Sequence, residues 1–252
     1  MRCPLNVELN SLGDDVLELV WDRRESANAF DESLVEDLLS NVAKATTMSP
    51  KLLVLRGAGG RFSAGFDLRG DDDDRLLAWR FARAEEALAA VRQFPAVTVA
   101  RVEGPAFGMG ADLVAACDYR LGSANAKFRF PGSRFGVVLG THQLRERVGA
   151  FRATDILIRN EVVRAEAALG DGLLTHVLEA AEQQDFVEQL AADVLNLDAT
   201  TLVSLLSVLR SDSADSSFAA LARSTHRQGL ADRVACYRDG ALQRRAGSNQ
   251  SA

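Results

Sequence analysis

The stretch from Val97 to Asp118 (VTVARVEGPAFGMGADLVAACD) constrains this chain more than any other. Val97 to Val102 alternates as a strand does, and Gly104-Pro105 breaks the alternation. Gly108-Met109-Gly110 then opens a run, Ala111 to Cys117, small and apolar enough for a buried helix. A strand that passes through a glycine-rich turn into such a helix gathers unpaired backbone N–H groups at one point. The helix dipole adds to their positive potential, so a negatively charged atom is stabilised there. Asp112 sits in the first turn of that helix and brings a carboxylate to the same place. The pattern describes half of an oxyanion site with an acid beside it. The bland alternative for Asp112 is that it only complements the helix N-terminus.

Bulk properties narrow the partners. At 252 residues and 47% hydrophobic, the chain is long enough for one large domain or one domain with a helical appendage. A formal charge of −6 with scattered Lys and Arg argues against nucleic acid as the main partner. No stretch approaches the roughly 20 apolar residues of a membrane-spanning helix, and MRCPLNVELNS has no apolar signal core. Three well-separated cysteines, Cys3, Cys117 and Cys236, suit a reducing compartment, so the expectation is a cytoplasmic protein. With no metal-ligand spacing and only His142, His176 and His226, no metal site is expected.

Along the chain, strands are expected at Val16–Trp21, Lys51–Arg56, 97–102, Tyr119–Ser123, Lys127–Pro131 and Leu174–Leu178. Helices alternate with them: Ser33–Ala45 capped by Asp31, Arg75–Gln93, and His142–Ile158 in two pieces meeting near Gly149. Further helices are expected at Val163–Gly170, Glu182–Leu195, Thr200–Arg210 and Phe218–Ala241, with Arg244–Ala252 a frayed tail. Asp71 to Asp74 reads as a solvated loop capping the next helix rather than a cation site, because adjacent carboxylates cannot converge on one ion. Strand–helix alternation to about residue 180 argues an α/β class with a helical remainder packed on it.

A second small-residue turn, Ser63-Ala64-Gly65-Phe66, also leaves a strand and leads towards a helix. Two such turns converging on one carbonyl oxygen make an oxyanion hole. From these residues the chain resembles the enoyl-CoA hydratase/isomerase (crotonase) superfamily over about Val16 to Val177. Arg61 to Leu68 (RFSAGFDL) matches the family's F-S-A-G-x-D-L turn, and Gly104 to Asp118 matches G-x-x-x-G-x-G-x-[ED]-L-x-x-x-C-D. Val163 to Val177 (VRAEAALGDGLLTHV) matches its A-x-E-A-x-x-x-G-L-V-x-x-V region.

The resemblance implies a β-β-α spiral core over residues 1–195 and a C-terminal helical oligomerisation region over 196–252, forming a homotrimer or a dimer of trimers. It implies an acyl-CoA thioester as partner, with coenzyme A arriving as part of the substrate and no permanently bound cofactor. Carried over by position, the oxyanion donors are the N–H groups of Phe66 and Met109, and Asp112 is the acid/base. Ala64, Phe66, Asp67, Leu68 and Arg69 would line the thioester and pantetheine, and Arg69 and Arg23 would meet CoA phosphate. For both arginines the alternative is a solvated surface charge.

The match fails at the second acid. The family's Glu aligns with Gly132, and the position where some isomerases place Asp is Gly140, in a contracted loop Leu139-Gly140-Thr141-His142. Gly132 cannot transfer a proton. His142 is the nearby residue that could replace it, or it caps or decorates a helix. Ser133 and Arg134 could recognise a polar acyl group. With one carboxylate, double-bond isomerisation or another enolate reaction is expected ahead of hydration. The rival expectation is a non-catalytic acyl-CoA-binding protein.

Overall fold

The computed structural model describes residues 6–70, 72–210, 214–226 and 228–248; Cys3, Asp71 and the last four positions of the expected tail lie outside them. Its organising unit is a strand in a large sheet, a short segment in a second layer, then a helix. The large sheet has the order β1-β2-β3-β4-β6-β9, from β1 (Val7–Gly13), β2 (Val16–Trp21), β3 (Leu52–Gly57), β4 (Val97–Val102), β6 (Tyr119–Gly122) and β9 (His176–Val177). Only β1 runs antiparallel to its neighbour. The second layer contains β5 (Pro105–Phe107), β7 (Lys127–Arg129) and β8 (Val163–Arg164). It is extended by two isolated parallel bridges, Ser63 to Ala106 and Phe30 to Phe66.

The helices that close each unit are α1 (Glu32–Met48), α2 (Asp74–Arg92), α3 (Met109–Ala116) and α4 (Thr141–Arg159). Four successive units, entered through β2, β3, β4 and β6, therefore wind into a β-β-α spiral. After α4 the chain continues through α5 (Ala165–Gly170), α6 (Ala180–Leu195), α7 (Ala199–Leu209), α8 (Ala214–Thr225) and α9 (Leu230–Ser248).

Period-two patterning sorts the sheet residues to its two faces. Leu53, Leu55, Ala100 and Val102 join the main core with Trp21, Phe30, Leu38, Phe62 and Leu88. Leu52, Val54, Val97 and Val99 face the other way, against Val187, Leu190 and Val194 of α6 and Leu202 and Leu206 of α7. A third cluster joins Leu77 and Phe81 of α2 to Phe135 and Val137, Leu221 of α8, and Leu230 and Val234 of α9. Helices α8 and α9 are thus built into the face of the molecule that α2 presents, while α6 and α7 cover the far face of the large sheet. Among the described residues no single helix is long and apolar enough to cross a membrane.

Asp31 caps α1 by accepting from Leu34 N–H at 2.9 Å, and Gly149 (φ 77°) interrupts α4, as the sequence predicts. Other expectations need correction. The segment from Val163 begins as strand β8 and turns helical only at Ala165. The helix expected over Phe218–Ala241 is two helices: Gly229 (φ 74°) lies between them, and the Asp74 carboxylate accepts the Gly229 and Ala231 N–H groups at 2.9 and 2.6 Å. The acidic run is therefore more than a solvated cap. Asp73 does cap α2 at Leu76 N–H, but Asp72 pairs with Arg80 and Asp74 ties down the start of α9. β1 and β5 carry weak sequence signals: in the first only Val7 and Leu9 alternate towards the core before the polar Asn10-Ser11, and the second starts at a proline.

One buried polar residue holds the entry to the second turn. Asn28, in the left-handed region (φ 57°), donates to Ala58 O at 2.9 Å and Arg61 O at 2.8 Å and accepts the Arg23 N–H at 2.9 Å. Its own carbonyl accepts the Ser63 hydroxyl at 2.7 Å. Asn28→Ala would orphan those buried groups at a backbone angle that alanine disfavours, and a loss of about 3 kcal/mol is expected in urea denaturation.

Candidate active site

The two glycine-bearing turns meet because the second layer joins them. Phe107 N–H donates to Ser63 O at 2.9 Å, within the Ser63–Ala106 bridge. Ser63 is fully buried, and its hydroxyl also accepts the Gly65 N–H at 2.9 Å, which folds the chain tightly before Phe66. Gly65 (φ 97°) and Gly108 (φ 50°) then pass each other in left-handed conformations that favour glycine, and at Gly65 the approach also leaves no room for a side chain. A Cβ at Gly65 would lie 2.7 Å from Phe107 O, and one at Gly108 would lie 3.8 Å from the Phe66 nitrogen. The Phe66 amide is thereby brought beside the start of α3. Among the described residues, neither the Phe66 nor the Met109 N–H has a protein acceptor.

Both donors border a cavity of about 230 Å³ whose floor holds Asp112. Ala64, Gly65, Phe66, Leu68, Gly108 and Met109 line it from the two turns, and Gly132, Ser133, Leu139 and Thr141 line it from the following segment. Its outer wall is aromatic. Phe66 stacks on Phe81 with centroids 4.4 Å apart, and Phe135 lies 6.1 Å from Phe81 and 5.1 Å from Tyr237 of α9. The Arg80 guanidinium covers the Phe66 ring at 4.7 Å. The bulk of Phe66 is thus absorbed by stacking, and its main chain is left for other work.

Asp112 is 4% exposed, and no hydrogen-bond partner is found for its Oδ1. Burial, with the charge of neighbouring Glu85 adding to it, holds the Asp112 carboxyl well above the ordinary carboxylate range. Gly140, at the start of α4 (φ 63°), presses on it: a Cβ there would overlap the Asp112 carboxyl group. Glu85 of α2 is buried too. Burial pushes its carboxyl up to about 7, opposed by the Gly140 N–H and by Arg92.

Other residues singled out by sequence turn elsewhere. The Asp67 carboxylate is buried and grips Arg69, whose guanidinium also donates to the Ser26 hydroxyl at 3.0 Å. That pairing holds the Asp67 carboxyl below the usual range. Of Phe66 to Arg69, Phe66 and Leu68 border the cavity, while Asp67 and Arg69 form a clip outside it. Arg23 likewise donates to Ala29 O at 2.6 Å and pairs with Asp31 at 2.9 Å, closing the loop before α1. His142 does not line the cavity and has its Nδ1 3.4 Å from Glu146 Oε1. The Ser133 hydroxyl and Arg134 guanidinium both donate to carbonyls of α4, at Leu157 and Ile158. Gly132 has no room for a larger residue without adjustment, since a Cβ would stand 3.0 Å from Val137 O.

Comparison with known proteins agrees with this layout. Residues 12–230 match the family model described as enoyl-CoA hydratase/isomerase. The chain belongs to that family. The probable enoyl-CoA hydratase echA6 of Mycobacterium bovis is 34% identical over 184 residues, covering 70% of this chain and 72% of the relative. An ethylmalonyl-CoA decarboxylase from Homo sapiens is 28% identical over 193 residues, 73% of this chain and 62% of that one. A solved enoyl-CoA hydratase/isomerase structure from Bordetella parapertussis superposes with a TM-score of 0.89 at 35% identity, over 92% of this chain and 98% of that one. The enoyl-CoA hydratase of Bacillus halodurans, at 21% identity and a TM-score of 0.81, shares the fold. Among the described residues no cluster of side chains could hold a metal ion.

Tyr237, Phe81, Phe135 and Glu85 are the site residues that sequence reading missed. The three aromatics come from α2, the turn after β7 and α9, none of which carries a family motif quoted above. Glu85 lies among apolar residues at helical spacing, and its burial was the available signal.

The buried Glu85 has a signed consequence for stability. Its folded-state value lies above its unfolded one, so the folded chain holds the proton longer. Stability is fully present below about pH 4.5 and falls as pH rises to about 7, by roughly 3 kcal/mol. Chemical denaturation across that window should show this loss in the wild type and a smaller one in Glu85→Gln, where the buried Asp112 carboxyl still contributes with the same sign.

Proposed function

We propose that this family member binds an acyl-CoA thioester with its carbonyl oxygen between the Phe66 and Met109 N–H groups and uses Asp112 as its single acid/base. The reading rests on one observation: two unpaired main-chain donors from separate turns border the same cavity as a buried carboxyl. Polarising the thioester carbonyl acidifies the C2 proton, and the donors stabilise the enolate that forms when it leaves. Asp112 takes that proton and returns it at C4, moving a double bond from position 3 to position 2. Atoms balance with no water and no second acid.

Hydration places two acids on one water, and the second position is Gly132. Isomerisation is therefore the better supported reaction. The apolar wall of Phe66, Phe81, Phe135 and Tyr237 suits a hydrocarbon acyl group, and the exposed polar groups of Ser133 and Arg134 are bonded to α4. Coenzyme A comes and goes with the substrate. Assembly into a homotrimer or a dimer of trimers, as the resemblance implies, would give α7 somewhere to cover Val208 and Leu209, which are 74% and 71% exposed. The second reading, an acyl-CoA carrier without turnover, is favoured by Gly132 alone.

Incubation with 3-enoyl-CoA in D2O decides between the two. Deuterium should enter the product, and Asp112→Asn should lower exchange about 10²–10⁴-fold while acyl-CoA binding persists. Tight binding with neither exchange nor 2-enoyl-CoA product in the wild type would establish the carrier, and no binding would end both readings. Gly65→Ala, whose new Cβ pushes on Phe107 O, should separate the donors and cost about 10²–10³-fold in rate.

A further inference from the structure

A second carboxyl stands behind Asp112 and has no role in the scheme above. Glu85 is 1% exposed on α2, and its Oε2 has no hydrogen-bond partner, like the Oδ1 of Asp112. The two groups share one neighbour. The Gly140 N–H is directed to the Glu85 carboxyl, while the Gly140 α-carbon is packed against the Asp112 carboxyl. Because a Cβ at Gly140 would overlap Asp112, the left-handed glycine lets one backbone unit touch both side chains.

The charges acting on the pair are few. Asp112, from α3, feels Glu85, and Glu85 feels Arg92 of its own helix. α4 packs on α3; its His142 and Glu146 face each other at 3.4 Å, its Arg147 donates to Ala115 O and Cys117 O at the far end of α3, and its Arg152, Asp155 and Arg159 pair with one another and with Glu161 and Asp171. Two carboxyls with unpaired oxygens and little countercharge cannot both ionise without a large penalty, as in other close carboxyl pairs. Glu85 also lowers stability near neutral pH, which an apolar side chain of the same volume would not do.

We propose that Glu85 is the positioning residue and proton partner of Asp112: the two carboxyls hold one proton as a pair, and the form that reacts with the thioester is the one in which that proton lies on Glu85 and Asp112 is the carboxylate. This rests on the reading of Asp112 as the acid/base of an enolate reaction. In the forward step the C2–H bond breaks, its electron pair passes into the enolate and the proton bonds to Asp112. Each carboxyl then holds one proton. Release from Asp112 to C4 restores the starting state. Glu85 touches no substrate, so it adds no second catalytic acid in place of Gly132; it keeps the one acid in the right form.

The test is a carbon-13 NMR titration of the full chain labelled at aspartate carboxyls, with the Asp112 signal assigned by its loss in Asp112→Asn. Between about pH 4 and 9 the wild-type signal should titrate in two steps. In Glu85→Gln it should titrate in one step, displaced downward by about one pH unit. The acid limb of the exchange–pH profile should move by the same amount, with acyl-CoA binding changed less than about twofold. A merely structural Glu85 would alter binding or overall rate and leave the limb in place. Should Glu85→Gln not fold, Glu85→Met carries the measurement, and the shape of the wild-type curve is a test in itself. A single wild-type step, or an Asp112 curve unchanged by the substitution, overturns the proposal. Coupled titration without any wild-type exchange would leave the pairing standing and remove the reaction assigned above.

Discussion

Everything at the site depends on the bond from Phe107 N–H to Ser63 O. It joins the second-layer segments of two consecutive spiral units. Both turns beyond it have little freedom, because the Ser63 hydroxyl bonds Gly65 on one side and the Asn28 carbonyl on the other. Gly110, in the first turn of α3, lies against the same serine: a Cβ there would stand 2.7 Å from that of Ser63. A pair of glycines, a buried serine and a buried asparagine thus set the separation of two amide groups. Such preorganised donors need no rearrangement as negative charge develops.

Electrostatics follow from what surrounds those donors. The cavity is walled by aromatic and aliphatic groups, and the charged residues near it are turned away into pairs: Asp67 with Arg69, Arg23 with Asp31, Arg80 with Asp72. Asp112 is left as the carboxyl that borders the cavity, in surroundings that disfavour its charge. A carboxyl so placed binds a proton near neutrality, where an exposed aspartate would not.

Where the sequence was legible, local chemistry decided the outcome. The strand–turn–helix pattern at 97–118, the Asp31 cap and the break at Gly149 each follow from residues within a few positions of one another. So do the main-chain donors, since a turn of small residues is a local property. The aromatic wall was not legible, because Phe66, Phe81, Phe135 and Tyr237 meet only through tertiary packing. Asp67, Arg69 and Arg23 illustrate the converse. The family resemblance places them near the substrate, and in the fold each pairs with a residue of opposite charge. The division of Phe218–Ala241 into two helices was written in Gly229, and it became readable only with Asp74 in contact, 155 positions away in the chain.

That contact separates two tasks of the molecule. The turns and Asp112 belong to the spiral, whereas Tyr237 reaches the cavity on a helix whose start is anchored through one carboxylate. The reactive centre and the surface that measures the acyl tail therefore sit on segments that can vary independently. A lineage can trade the last helices for a roomier or tighter version and inherit the chemistry untouched.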